Sequence, residues 1–204
     1  DSSPSRGLGD VYKRQISAAN QVDLQNVVLD AGNLAITGTN IDLNGATYTT
    51  ATSGNITFTG AVDLALSGSA VAVNTSAGNG TITFTSTIDD DSAGDSDLTL
   101  TAGTGSVDLQ GAVGGTTRVD DFTVASAAQA DLMNVAADTI AVTSTNIDLK
   151  GTTYTSSVAG ITFTGAVDLD LSTGTVAVNS SANNQNITFT STIDDDSAGD
   201  SDLT

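Results

Sequence analysis

Several residue types that carry most protein chemistry are missing here. The 204-residue chain has no cysteine, no histidine, no tryptophan and no glutamate, and its one proline is Pro4. Without histidine or cysteine there is no imidazole or thiol to act as base or nucleophile. Nor are there histidine or cysteine ligands for a zinc, haem or iron–sulfur centre. No disulfide can form, so thiols do not report the redox compartment. Five basic residues stand against 24 aspartates, a net charge of −19. That balance argues against binding to nucleic acid or anionic membrane, which need a basic surface. No apolar run approaches the roughly 18 residues that a membrane helix requires.

The first fifteen residues differ in character from the rest. Arg6, Lys13 and Arg14 are three of the five basic residues, and Pro4 also lies here. Asp10 to Gln15 can be written back as GAT-GTG-TAT-AAG-AGA-CAG, which resembles the end sequence of a transposase sequencing adapter; Ser5 to Gly9 match the upstream adapter in the same frame. The expectation is that residues 1–15 are adapter-derived, disordered and outside the fold. A genuine basic arm is the rival reading. Residues 16–204 then hold 22 aspartates against Arg118 and Lys150.

What is present is one long repeat. Asn40-Ile41-Asp42-Leu43 recurs as Asn146-Ile147-Asp148-Leu149, and Tyr48 as Tyr154, both 106 residues on. Ile56 to Leu64 recurs as Ile161 to Leu169, and Ile82 to Thr99 returns unchanged as Ile187 to Thr204. Upstream, Ile16 to Asn26 aligns with Val124 to Asn134. The expected organisation is a continuous array of two imperfect repeats, 16–123 and 124–204, the second truncated, within a longer protein.

Inside the repeat, apolar residues alternate with Thr, Asp or Ser, as in Ile56-x-Phe58, Val71-x-Val73, Ile82-x-Phe84 and Val107-x-Leu109. Period two is the strand signature, with one face buried. Gly, Asn, Ser and Asp between these runs turn the chain. Successive strong strands at Leu34, Ile56, Ile82, Leu98, Phe122 and Ile140 are separated by 22, 26, 16, 24 and 18 residues. Read as five turns per repeat, they average about 21 residues. That length, with several short strands in each turn, predicts an all-β parallel β-helix, or solenoid. The rival fold is a string of immunoglobulin-like β-sandwiches of about 100 residues each.

The strings Gly54 to Leu64, Leu98 to Gly105 and Gly111 to Arg118 resemble the long repeats of giant bacterial surface proteins, filamentous-haemagglutinin-type adhesins and related autotransporter-like exoproteins. The likeness covers residues 16–204 and rests on low-complexity motifs, so it indicates a class. It implies a right-handed β-helical stalk that is secreted or outer-membrane-associated at the bacterial cell surface. Such a stalk would contact host or neighbouring-cell surfaces, or extracellular matrix and glycans. It supplies no catalytic residue.

Chemical candidates are few. Asp89 to Asp97, repeated at Asp194 to Asp202, is the densest acidic run, and an extracellular calcium-binding module is the alternative it suggests. Ala93 and Leu100 break the EF-hand ligand pattern, so a solvated acidic turn is the plainer reading. Asp63, Asp108, Asp168 and Asp170 raise the possibility of a polysaccharide-cleaving carboxylate pair. Yet most of these aspartates recur at the repeat period, which marks scaffold, and Arg118 and Lys150 are the available cations. Asn55 and Asn186 head Asn-Ile-Thr sequons of little meaning in a bacterial product. Tyr48 and Tyr154 are expected to serve corner or surface packing. No catalytic, cofactor-binding or metal-binding residue is assigned and no cofactor is expected. The sequence reading is a structural, adhesive stalk segment with no enzymatic activity.

Overall fold

A computed structural model describes residues 14–180, 185–195 and 201–204. The described elements are parallel β-strands stacked as a solenoid of about eight turns with roughly 22 residues per turn. No helix among the described residues is long and apolar enough to cross a membrane. The solenoid, and not the β-sandwich array, is therefore the fold.

Each turn crosses three hydrogen-bonded ladders. The first begins at Arg14–Ser17, the second at Gln21–Leu24 and the third at Val27–Leu29. Leu34–Leu43 then crosses ladders one and two in a single strand, pairing its start with Arg14–Ser17 and its end with Gln21–Leu24. Thr47–Thr50 follows on ladder three. The alternating pattern works as expected. Leu34, Ile36, Ile41 and Leu43 point inward and are fully buried, while Ala35, Thr37 and Asp42 between them face out. Stacking the turns joins these side chains into one apolar column along the axis. No single turn could bury its own apolar edge, so the column is the cooperative element.

Aromatic residues stack in register. Phe58 lies against Phe84 with ring centroids 4.6 Å apart, and Tyr48 meets Phe58 edge-on at 6.2 Å. The second repeat builds the same set, Tyr154 on Phe163 at 6.1 Å and Phe163 on Phe189 at 5.2 Å. Tyr48 and Tyr154 are fully buried, so the surface alternative for them is wrong. Their phenol bodies fill the interior, and only their hydroxyls reach the corner backbone.

Two points depart from the sequence expectation. Arg14 and Gln15 already pair with Leu34 and Ala35, so the ladder starts two residues before Ile16. The rest of the adapter-like stretch, residues 1–13, lies outside the described residues. The repeat also does not make five turns. Leu34, Ile56 and Ile82 sit on ladder one, whereas Leu98, Phe122 and Ile140 sit on ladder three. The short interval of 16 residues from Ile82 to Leu98 is two-thirds of a turn, and one repeat spans 4⅔ turns.

The identical segments Ile56–Leu64 and Ile161–Leu169 show how the chain rounds a corner. Each stays one strand but bends at a glycine with positive φ, Gly60 at 127° and Gly165 at 135°. One glycine opposes two residues of the turn before, Gly38-Thr39 or Ser144-Thr145, where the register shifts. A Cβ on Gly60 would sit 1.8 Å from the Gly38 carbonyl oxygen, and one on Gly165 1.9 Å from that of Ser144. Both conformation and contact therefore demand glycine. Gly68 also has positive φ, but open space surrounds it. Gly60→Ala is expected to cost about 3 kcal/mol, combining strain and overpacking, and Gly68→Ala only about 1 kcal/mol from strain. Urea unfolding of the two variants measures the difference.

Candidate functional site

In a parallel, in-register ladder like residues stack on like, so the outward aspartates form columns. On ladder two Asp23, Asp42, Asp63 and Asp89 are successive partners. On ladder one the column runs Asp108, Asp131, Asp148, Asp168 and Asp194. Neighbours are about 4.8 Å apart along the axis, the inter-strand spacing. Seven of these nine aspartates lie between two apolar residues, as in Val22-Asp23-Leu24 and Ile147-Asp148-Leu149, while Asp89 and Asp194 are each followed by a second aspartate. That recurring motif is a signal in the sequence that analysis of isolated carboxylates misses.

Like charges directly opposite destabilise a sheet, and the side chains alongside offset this. Amides donate to the carboxylates: Asn40 to Asp42 at 2.9 Å, Gln110 to Asp108 at 2.8 Å and Gln129 to Asp131 at 2.8 Å. Lys150 places its ammonium 3.1 Å from Asp131 Oδ2 and 3.6 Å from Asp170 Oδ2. Burial tends to lower its pKa, but the carboxylates of Asp131, Asp170 and Asp148 outweigh that and raise it. Asp42 is raised above the usual carboxylate range, first by burial and then by Asp63 and Asp23. Asp148 is raised chiefly by burial, with Asp131 and Asp168 adding to it and Gln129 and Lys150 opposing.

A third acidic group surrounds Arg118, which is ion-paired with Asp138. Asp120 there is raised by burial and then by Asp121, Asp97 and Asp138, against the pull of Arg118. Arg118 and Lys150 are thus both committed to carboxylates of the scaffold.

The acidic run beside this pair is shaped by its own backbone. Asp90 takes the inward position that Leu24, Leu43 and Leu64 fill in the preceding turns and is 2% exposed. Its Oδ2 accepts the N–H groups of Asp95 and Ser96, both at 2.9 Å, closing the loop. Its Oδ1 is buried without a hydrogen bond. Asp89 Oδ1 accepts from the N–H groups of Thr116 and Thr117 in the next turn. In the second copy Asp195 Oδ2 likewise accepts from Ser201 N–H, 3.3 Å away. Asp196 and Asp200 of that copy lie outside the described residues. Among the described residues no three acids converge as a metal cage.

Outward aspartates on adjacent turns do stack, but Asp63 and Asp108 are not ladder partners of each other. Asp63 and Asp108 lie on different ladders. Asp168 is stacked with Asp148 and Asp194, and Asp170 follows the strand end beside Lys150. Asn55 is also scaffold: its Oδ1 accepts from Thr81 N–H at 2.8 Å, and its own N–H donates to Asn33 Oδ1 at 2.9 Å. Asn186 contributes its backbone carbonyl to Ile161 N–H. An open hollow of about 360 Å³ at the first turn is lined, among the described residues, by Val28, Leu29, Asp30 and Ala31.

Each buried tyrosine closes a corner. Tyr48 donates to the Leu24 carbonyl at 2.9 Å and accepts from Gly45 N–H at 3.0 Å. Tyr154 repeats this with Leu132 at 2.7 Å and Gly151 at 3.0 Å. Burial pushes the Tyr48 hydroxyl up to about 12 and Tyr154 higher still.

These observations define a three-ladder parallel β-solenoid. No protein family, curated protein or solved structure matches the chain.

Three outcomes are expected. Tyr48→Phe takes the partner from the buried Gly45 N–H and should cost about 1–3 kcal/mol in chemical unfolding, whereas Tyr154→Phe should cost less, because Gly151 N–H also reaches the Leu132 carbonyl. The raised carboxylates bind protons more tightly folded than unfolded. Stability should therefore rise as pH falls from 7 through their raised values, and level off below the ordinary value near 3.8. Melting followed by circular dichroism at pH 7 and 4.5 checks the sign. Millimolar calcium should leave the pH 7 melting temperature unchanged; an increase of several degrees would establish a cation site.

Proposed function

We propose that this chain is a non-catalytic stalk segment of a large bacterial exoprotein, exposed at the cell surface or secreted, whose outer faces make many weak contacts with cell surfaces, matrix or glycans. The observation that carries this reading is the regular three-ladder rod, in which the singled-out polar residues are occupied in holding turns together. Eight turns at about 4.8 Å give a rod on the order of 38 Å long, stiffened by backbone ladders in place of disulfides. The resemblance of Gly54 to Leu64 and Leu98 to Gly105 to haemagglutinin-type repeats supports the same reading. A surface rich in threonine, asparagine and aspartate offers many small contacts, and repetition converts weak contacts into avidity.

Beads coated with the chain test it. Attachment to epithelial cells or to matrix and glycan layers should rise steeply with coating density, while the free chain competes poorly. Attachment no greater than that of albumin-coated beads at every density would remove the adhesive reading.

A further inference from the structure

The mismatch between repeat and turn has a consequence for the outer surface. Each turn crosses three ladders, and a repeat advances 4⅔ turns, or fourteen strand segments. Leu34 lies on ladder one and its counterpart Ile140 on ladder three. Ile41 lies on ladder two and Ile147 on ladder one. Tyr48 lies on ladder three and Tyr154 on ladder two. The shift is the same for Phe58 and Phe163, and for Ile88 and Ile193. Every residue of the repeat thus reappears about 22 Å along the rod and one face round.

The corners accept the rotation because they are interchangeable. The Tyr48 corner joins ladders two and three, whereas the Tyr154 corner joins ladders one and two, with the same hydrogen bonds in both. The Gly60 bend joins ladders one and two, and the Gly165 bend joins ladders three and one. The acidic column moves with the repeat, from ladder two at Asp89 to ladder one at Asp108.

We infer that the repeat distributes one outer surface over successive sides of the rod, so that consecutive copies cannot grip one flat partner surface together. This rests on the surface-contact reading above and deepens it. The rod bridges separate, narrow partners lying on different sides. Avidity vanishes where geometry forbids simultaneous engagement, so consecutive repeats add valency in direction and not along one plane. Rows of threonine hydroxyls, such as Thr57 on Thr83, which runs on into Asp108, and Thr162 on Thr188, suit neutral, hydroxyl-bearing chains such as single glycan strands.

The absence of cysteine makes the test clean. Thr57 and Thr162 are repeat equivalents on different ladders; Thr57 and Asp168 share one ladder position five turns apart. Nitroxides at Thr57→Cys and Asp168→Cys should lie about 24 Å apart along one face. The Thr57→Cys/Thr162→Cys pair should be farther apart, despite its smaller axial separation. A Thr57/Thr162 distance equal to or below that of Thr57/Asp168 would overturn the inference. The same two cysteine pairs, carrying desthiobiotin on short linkers, report engagement of a flat streptavidin layer. The Thr57/Asp168 protein should dissociate about a hundredfold more slowly than a singly labelled chain, and the Thr57/Thr162 protein about as fast as that chain. Equal retention of both doubly labelled proteins would also overturn it. Neither measurement needs a natural receptor, so failure here is distinct from failure of chain-coated beads to adhere.

Discussion

The parallel backbone ladder between successive turns governs this molecule. Each turn is held to the next by N–H···O=C bonds, in register along each ladder apart from local shifts such as those at the Gly60 and Gly165 bends, so whatever stands at one position stands over its counterpart one turn away. Apolar residues that stack this way merge into a continuous core, and Phe58 over Phe84 shows the favourable outcome. Aspartates that stack this way repel, and Asp148, raised first by burial and further by Asp131 and Asp168, shows the cost. Much of the remaining polar chemistry responds to that constraint. Amides from Asn40, Gln110 and Gln129 donate to the columned carboxylates, and Lys150 bridges acids of neighbouring turns.

Corners pose the complementary problem. Where a strand ends, backbone N–H groups lose their ladder partners, and side chains supply acceptors. Asn26 and Asn134 do this for the strands that begin at Thr47 and Thr153. The tyrosine hydroxyls close two more corner groups from inside, which is why they are buried while their chemistry remains polar. A chain lacking cysteine, and with a single proline, can form such a structure because its stability is spread over many equivalent hydrogen bonds and one long apolar column.

Much of this was legible in the sequence. Alternation at Ile56-x-Phe58 and Val71-x-Val73 gave the strands and their buried faces, and the 106-residue recurrence gave the repeat. The number of turns was not legible. Leu98 resembles Ile82 as a strand start, yet lies on another ladder, because strands on all three faces obey the same alternation. Only register separates a full turn from two-thirds of one. The aspartate columns were hidden for the same reason: Asp63 and Asp108 look alike in sequence but stand on different sides. The burial of Tyr48 and Tyr154 depends on carbonyls 22 to 24 residues upstream, which local pattern does not reveal.

The three-ladder register is the central claim, and cysteine cross-linking at the junction of the two acidic columns tests it most directly. Thr83 and Asp108 are direct partners on ladder one, while Asp89 stands on ladder two. Directly opposed Cα atoms about 4.8 Å apart fall within disulfide reach. Mild oxidation of the Thr83→Cys/Asp108→Cys protein should form an intramolecular disulfide, and the Asp89→Cys/Asp108→Cys protein should not. Efficient closure of the second pair and failure of the first would place the aspartates in one straight column and contradict the register.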